Sequence, residues 1–289
     1  MLTTRAPAKV NLTLHVLGRR TLDGYHELES LVAFTGAGDL LSLEPGAGLS
    51  LEIFGPTAVE AGTGGENLVL RAARNFAALF PGAKLGAFGL RKTLPVAAGI
   101  GGGSSDAAAA LRLLARANGV DAADSRLYEA ARRTGADVPV CLAPRLRFMR
   151  GAGEEVGPAL ALPALPAVLV NPRVATPTPE IFSRLGLRPG ETREGAAHPR
   201  IEAGLSREAL LGALAKGRND LEDAACVATS VIVDALSVLR TAKGCKLVRM
   251  SGSGATCFGL FLSREKASRA AAAIRAAHPE WWVKAAMLR

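Results

Sequence analysis

The most specific chemistry in this chain lies in one loop, Pro95-Val96-Ala97-Ala98-Gly99-Ile100-Gly101-Gly102-Gly103-Ser104-Ser105. Glycine has no Cβ, so such a run can take positive φ and bring backbone N–H groups against a ligand. A helix starting behind it adds unpaired N–H groups and the positive end of its dipole. That combination suits the phosphates of a nucleotide, and Ser104 and Ser105 add hydroxyls that can reach phosphate oxygens. A plain turn, with Ser105 or Asp106 capping the helix, calls for fewer glycines than stand here. No Lys occupies the Walker position after the glycines. In Gly99-Ile100-Gly101-Gly102-Gly103-Ser104 a serine stands where the dinucleotide fingerprint needs its third Gly or Ala. Protein-kinase catalytic and metal motifs are absent.

A strand and a helix must hold this loop. Residues 85–94 read as extended, and an Ala/Leu-rich run from about 104–106 to Ala117 reads as a helix, with Leu111, Leu114 and Ala115 on one face and Asn118-Gly119 as its stop. Near the N-terminus, Val10, Leu12, Leu14 and Val16 alternate with Lys9, Asn11, Thr13 and His15. That period of two predicts one half-buried strand, with Lys9 and Asn11 on its polar face. Asp23-Gly24 supplies a turn before Tyr25 and His26. Further strand is expected over 40–54, and a helix over 67–80 with Leu68, Ala72, Ala73, Phe76 and Leu79 as its apolar stripe. Residues 125–134 predict another helix, followed by Gly135-Ala136-Asp137-Val138-Pro139.

Gly and Pro accumulate over 151–166, where a linker is expected, and the chain is divided into domains at 1–155 and 156–289. Beyond it the pattern predicts a strand at 167–171, a short helix at 179–185, an exposed loop at 186–204, helices at 207–215 and 220–239, strands at 246–250 and 257–262, and a helix at 264–277. This order suggests mixed α/β layers and not a helical bundle.

Composition narrows the functional classes. The 289 residues are 49% hydrophobic and 21% charged, which excludes a disordered chain. The four cysteines are far apart with no C-x-x-C pair, which points to a reducing compartment. No secretory leader pattern and no stretch near the ~20 apolar residues of a membrane span make a cytoplasmic protein, not a membrane one, the expectation. A net charge of +9 favours anionic partners. The basic residues are dispersed and only 4% of the chain is aromatic, so phosphorylated metabolites are expected and nucleic acid is not.

The loop, taken with its neighbours, resembles the GHMP kinases. The resemblance rests on Ala8-Lys9-Val10-Asn11-Leu12, Asp23-Gly24-Tyr25-His26, the loop at 95–105, Gly135-Ala136-Asp137-Val138-Pro139, Pro177-Thr178-Pro179, Asn219-Asp220-Leu221-Glu222 and Ser251-Gly252-Ser253-Gly254-Ala255-Thr256. These motifs span nearly the whole chain in the family's order. They depart from it mainly at Ala97-Ala98, where many members have glycines. The resemblance implies an α+β fold of two domains, an S5-domain-2-like N-terminal one that binds ATP and a ferredoxin-like C-terminal one.

It further implies transfer of the γ-phosphate of ATP, with Mg²⁺, to an alcohol. The branch most resembled takes a cytidine diphosphate-linked alcohol, a small-molecule substrate of non-mevalonate isoprenoid precursor synthesis. Phosphoryl transfer to an alcohol needs a carboxylate to accept the hydroxyl proton and positive charge near the developing anion. The resemblance assigns these to Asp137 and Lys9; a structural ion pair or a turn cap is the plainer alternative for Asp137. Asn11 is a candidate contact to the acceptor. Tyr25 can stack on a pyrimidine and His26 can read its amide edge, and the resemblance implies cytosine there. Thr178 reads as a helix cap before Pro179, while the resemblance brings it to the substrate diphosphate. Two alternatives stay open at this point: a homoserine- or mevalonate-type kinase, against which Tyr25 and His26 argue, and a nucleotide-binding protein without turnover, against which Lys9 and Asp137 argue.

Overall fold

The computed structural model describes residues 1–46, 48–61, 67–195 and 197–289. One residue of the predicted loop at 186–204, number 196, lies outside the described residues. The first half of the chain forms β1 (Leu2–Asn11), β2 (His15–Arg19), β3 (His26–Gly46), β4 (Ser50–Phe54), α1 (Ala58–Ala61), α2 (Leu68–Leu79), β5 (Leu85–Arg91), α3 (Gly102–Ala117), α4 (Ser125–Thr134) and α5 (Val138–Leu142). The second half forms β6 (Arg147–Gly151), β7 (Glu155–Ala159), β8 (Leu165–Asn171), α6 (Thr178–Ser183), α7 (Arg207–Ala215), α8 (Glu222–Ala228), α9 (Val231–Thr241), β9 (Cys245–Met250), β10 (Cys257–Phe261), α10 (Arg264–Ala277) and β11 (Trp282–Leu288).

Two compact units result, each assembled from separate pieces of chain. The first contains residues 1–9, 37–96 and 101–144; the second contains 10–36, 97–100 and 145–289. Mixed α/β content is present in both.

In the first unit, β5 lies between the second half of β3, antiparallel with Leu41 opposite Leu90, and β4, parallel with Ile53 opposite Leu90. Helix α2 starts where Asn67 accepts a hydrogen bond from Val69 N, and α4 where Asp124 accepts one from Arg126 N, the side-chain caps that satisfy orphan first-turn donors. Helix α3 is buried on nearly every side: Ala107, Ala108, Ala109 and Ala110 are fully covered. Its short side chains let α2 and α5 pack closely against it, which a leucine-rich helix would prevent.

In the second unit, β8 pairs antiparallel with both β10 and β11, and β10 continues to β9. The first half of β3 pairs with β2 and β6, and β7 pairs with β6. The stretch at 151–166 thus holds the end of β6, all of β7 and the start of β8, where a linker was expected. All seven residues of β8 are buried, as befits a central strand covered on both faces. Helices α9 and α10 pack on this sheet through Ile232, Ala235, Leu236 and Leu239, and through Ala267, Ala270, Ala271 and Ile274.

Two of the expectations fail in detail, and one strand was not foreseen. The segment 9–16 is not one half-buried strand: β1 ends at Asn11, β2 begins at His15, and the polar residues between are as buried as the apolar ones. Several of their polar groups have internal partners, though His15 Nδ1 is buried with none among the described residues. Thr13 Oγ1 lies 2.6 Å from His198 Nε2, and His15 Nε2 accepts a hydrogen bond from Arg218 N. The helix expected at 220–239 is two, α8 and α9, because the chain turns extended at Thr229, whose φ is −146°. Asp220 does not start a helix. Its carboxylate accepts from Val16 N at 2.7 Å and from Arg218 Nε at 2.6 Å. The last strand, β11, was not expected at all, since Lys284-Ala285-Ala286 has no strand signature apart from its pairing with β8.

Arg249 on β9 is 7% exposed and donates to the carbonyls of Leu12, Leu214 and Gly217. Burial lowers its pKa to about 10, so it stays charged at neutral pH. Arg249→Met keeps the volume but removes the guanidinium from the carbonyls of Leu12 and Gly217, while Leu214 O keeps its bond from Gly217 N. It is expected to cost about 3 kcal/mol in urea unfolding; a loss below about 1 kcal/mol would mean that water replaces the guanidinium.

Candidate functional site

In the first unit, β1 carries Lys9 and the turn before α5 carries Asp137. Lys9 is 3% exposed, and its Nζ lies 3.0 Å from Asp137 Oδ2. The Asp137 side chain is 35% exposed, so the ammonium is buried while the carboxylate faces outward. Asp137 occupies the N-cap position of α5 yet makes no side-chain capping bond. Its carboxylate goes to Lys9, which disposes of the turn-cap alternative. Cys141 stands close enough to feel both charges, but burial pushes its thiol up to about 12, and it offers no nucleophile.

The glycine loop has the geometry its composition calls for. Gly99 and Gly101 take φ of 70° and 59°. Gly101 is the N-cap of α3 in the left-handed conformation and no side chain caps the helix. The helix begins at Gly102, inside the glycine run and earlier than expected, so neither Ser105 nor Asp106 caps it. The N–H groups of Gly102, Gly103 and Ser104 precede the first intrahelical bond, from Ser105 N to Gly101 O. Backbone donors gathered at a helix start form an anion site, and they fit nucleotide phosphates. Ser105 has a different use: it is 1% exposed and donates to Pro7 O at 2.6 Å. Ala97 has a φ of 49°, a conformation that favours glycine and costs another residue about 1 kcal/mol. The departure at Ala97 is thus one of backbone strain.

The second unit holds the remaining candidates. Asn11 is 1% exposed; its Nδ2 donates to Ser30 Oγ at 2.8 Å and its backbone N–H to Ser251 Oγ at 3.0 Å. Ser251 Oγ in turn donates to Gly99 O at 2.9 Å. Thr256 N donates to Ala98 O at 3.1 Å. The 251–256 loop is therefore a brace for residues 98–99 of the glycine loop. Asn219 holds that brace from behind, donating to Met250 O at 2.8 Å and Gly252 O at 2.9 Å. Thr178 is the first helical residue of α6 and not its cap; its hydroxyl meets Ser253 Oγ at 2.8 Å.

Tyr25 is 59% exposed on the turn before β3, unlike a core tyrosine. His26 beside it is part-buried and packs its ring 4.8 Å from that of Phe182 on α6. His26 Nε2 is buried with no hydrogen-bond partner among the described residues. Burial first, then Arg19, lowers the His26 pKa below the usual histidine value, which keeps a neutral imidazole able to read an amide edge. Phe182 was missed by sequence reasoning. Its only signal was an aromatic residue four positions after Thr178 in a chain poor in aromatics.

Also missed was a buried ion cluster in the first unit. Lys92 Nζ lies 2.5 Å from Asp39 Oδ2 and 2.7 Å from Asp106 Oδ2. Among the described residues, no group of three or more His, Cys, Asp or Glu side chains is placed to hold a metal. A magnesium ion is commonly held by one or two carboxylates together with substrate phosphates and water, and needs no such group.

The profile of the GHMP kinases N terminal domain matches residues 67–144, and that of the GHMP kinases C terminal domain matches residues 201–280. The chain belongs to the GHMP kinase family, and its two-domain mixed α/β architecture is that family's. It is 62% identical, over all of its length and 99% of the relative's, to a protein of Methylobacterium radiotolerans named 4-diphosphocytidyl-2-C-methyl-D-erythritol kinase. A protein of the same name from Methylorubrum extorquens is 60% identical over 98% of each chain. A crystal structure of 4-(cytidine 5'-diphospho)-2C-methyl-D-erythritol kinase superposes with a TM-score of 0.74 at 37% identity, covering 99% of each chain. A homoserine kinase from Cytophaga hutchinsonii superposes with a TM-score of 0.69 at 18% identity, covering 99% of this chain and 94% of that one, and shares the fold.

A Cβ on Gly101 would stand 3.1 Å from Lys9 Cε, in a backbone conformation that L residues resist. Gly101→Ala is therefore expected to destabilise the protein by about 1–2 kcal/mol. It should also lower kcat by displacing Lys9, as read by steady-state kinetics beside urea unfolding. An unchanged kcat would show that the loop does not hold the lysine.

Proposed function

We propose that this chain is a 4-diphosphocytidyl-2-C-methyl-D-erythritol kinase, which moves the γ-phosphoryl group of ATP to the tertiary 2-hydroxyl of its acceptor. The observation that carries the reaction is the pairing of buried Lys9 with half-exposed Asp137 at 3.0 Å. The names of relatives up to 62% identical over the full chain support the acceptor.

Asp137 accepts the proton as the acceptor hydroxyl oxygen forms its bond to the γ-phosphorus and the bond to the ADP oxygen breaks. Lys9 orients that carboxylate and holds positive charge beside the oxygen losing its proton. The N–H groups of residues 102–104 bind the phosphates of ATP, the donor used across GHMP kinases. Mg²⁺, when bound to those phosphates, neutralises charge that builds up during transfer. No covalent phospho-enzyme is needed, since catalysis here is positioning and electrostatics. Asn11 is assigned to the acceptor and Thr178 to its diphosphate. Tyr25, His26 and Phe182 form the pyrimidine subsite: two rings supply stacking surface, and His26 supplies the polar contact. A purely nucleotide-binding protein has no use for a buried ammonium locked on an outward carboxylate. Among the described residues no helix is long and apolar enough to cross a membrane, and small-molecule metabolism in the cytoplasm is the setting we assign, with no role in nucleic-acid binding.

ADP release with Mg-ATP should require the cytidyl acceptor, with homoserine and mevalonate inert in parallel assays. Asp137→Asn should cut kcat by about 10²–10⁴-fold with ATP binding retained; near-normal turnover would remove Asp137 as the base. Phe182→Ala should raise KM for the cytidyl acceptor about 10-fold and leave KM for ATP alone, the loss of one ring's stacking. Equal effects on both KM values would place Phe182 outside the pyrimidine subsite.

A further inference from the structure

Asp39, Lys92 and Asp106 are 0%, 4% and 3% exposed, and none is assigned a role in the reaction above. Asp39 on β3 accepts from Thr93 N at 2.6 Å and Leu94 N at 2.9 Å through Oδ1, and from Lys92 Nζ through Oδ2. Lys92 then reaches Asp106 Oδ2 at 2.7 Å. Asp106 stands in α3 one residue after Ser105, and its second oxygen, Oδ1, is buried with no partner among the described residues. A Cβ built on Gly102 would lie 3.6 Å from Lys92 Nζ, so the ammonium sits directly behind the first helical residue of the phosphate loop.

Two carboxylates on one ammonium leave an excess negative charge when both are ionised. Buried charge without a partner is costly, and here it stands behind N–H groups that receive an anion. The arrangement is stable when Asp106 holds a proton, and the environment favours this. Burial and Asp39 raise the Asp106 pKa to about 7 against the opposing pull of Lys92. Lys92 and Asp39 are the charged groups that face it.

We propose that Asp39, Lys92 and Asp106 are a positioning device for ATP: the trio pins the first turns of α3 behind the phosphate loop, and the proton on Asp106 sets the charge against which the phosphates bind. This rests on the assignment of the loop to ATP. Ionisation of Asp106 adds negative charge behind the phosphates, so affinity for ATP falls as pH rises through neutrality. Asp106 touches no reacting atom, and kcat is untouched by its charge.

The test is Asp106→Asn, a neutral side chain of the same shape, with KM and Kd for ATP, kcat and thermal unfolding measured between pH 6 and pH 8. Taking the ratio of wild type to variant cancels the titration of ATP itself. The KM ratio should climb from near one at pH 6 to roughly three- to tenfold at pH 8, with kcat equal in the two proteins. A purely structural cluster would shift thermal unfolding and leave the KM ratio flat, and a flat ratio overturns the proposal. Sulfate, whose charge is constant over this range, gives a second reading on the unmodified protein, in case the variant does not fold. Its inhibition constant against ATP should rise over the same pH range, and a pH-independent constant sinks the idea. Loss of all ATP binding by wild type would instead remove the proposed function on which this stands.

Discussion

A lysine buried to 3% exposure demands a counter-charge, and the first unit is arranged around supplying one. Lys9 needs Asp137 within hydrogen-bond distance, so the turn before α5 must come to β1. Gly101 takes a left-handed backbone conformation that L residues resist, and a Cβ there would crowd the methylenes of Lys9. Ser105 ties α3 to Pro7, two residues before the lysine. The close packing of α3 against α5, permitted by four consecutive alanines, brings the carboxylate near the ammonium. The same close packing fixes the start of α3, and with it the direction of its N–H groups.

The second unit meets a different constraint. A glycine loop rich enough to cradle phosphates is too pliant to hold its own shape. Residues 98 and 99 are held instead by hydrogen bonds from Thr256 and Ser251, and those residues are held by Asn219. Each link is a short polar contact in a buried setting, where an unmade bond is costly. Motifs separated by more than a hundred residues are parts of one brace.

Much of the site was legible in the residues themselves. The loop at 95–105, Asp137 and Lys9 were singled out by their residue types and by the resemblance to the GHMP kinases, and the structure places the Lys9 ammonium beside the Asp137 carboxylate. Helices α2, α4, α7 and α10 form close to where they were expected, and Asn67, Asp124, Ser206 and Ser263 each accept a first-turn N–H there as the cap. Asp106 read only as a helix starter, because nothing local indicates that Lys92 and Asp39 converge on it. Nothing local indicates that Ser251 meets Gly99 either. Phe182 lies far along the chain from His26, and only folding brings their rings together.

By itself the sequence determined local conformation and chemical inventory: which segment can take positive φ, where helices begin, and which side chains can give or take a proton. These follow from properties of single residues and near neighbours. Tertiary structure decided which polar groups are buried and with whom. It turned the polar face of 9–16 inward and split the 220–239 helix. It paired β11 with β8 and placed one ammonium between two carboxylates. Burial depends on contacts between distant segments, and a charge buried beside one partner behaves differently from the same charge in water. No pattern along the chain encodes that difference.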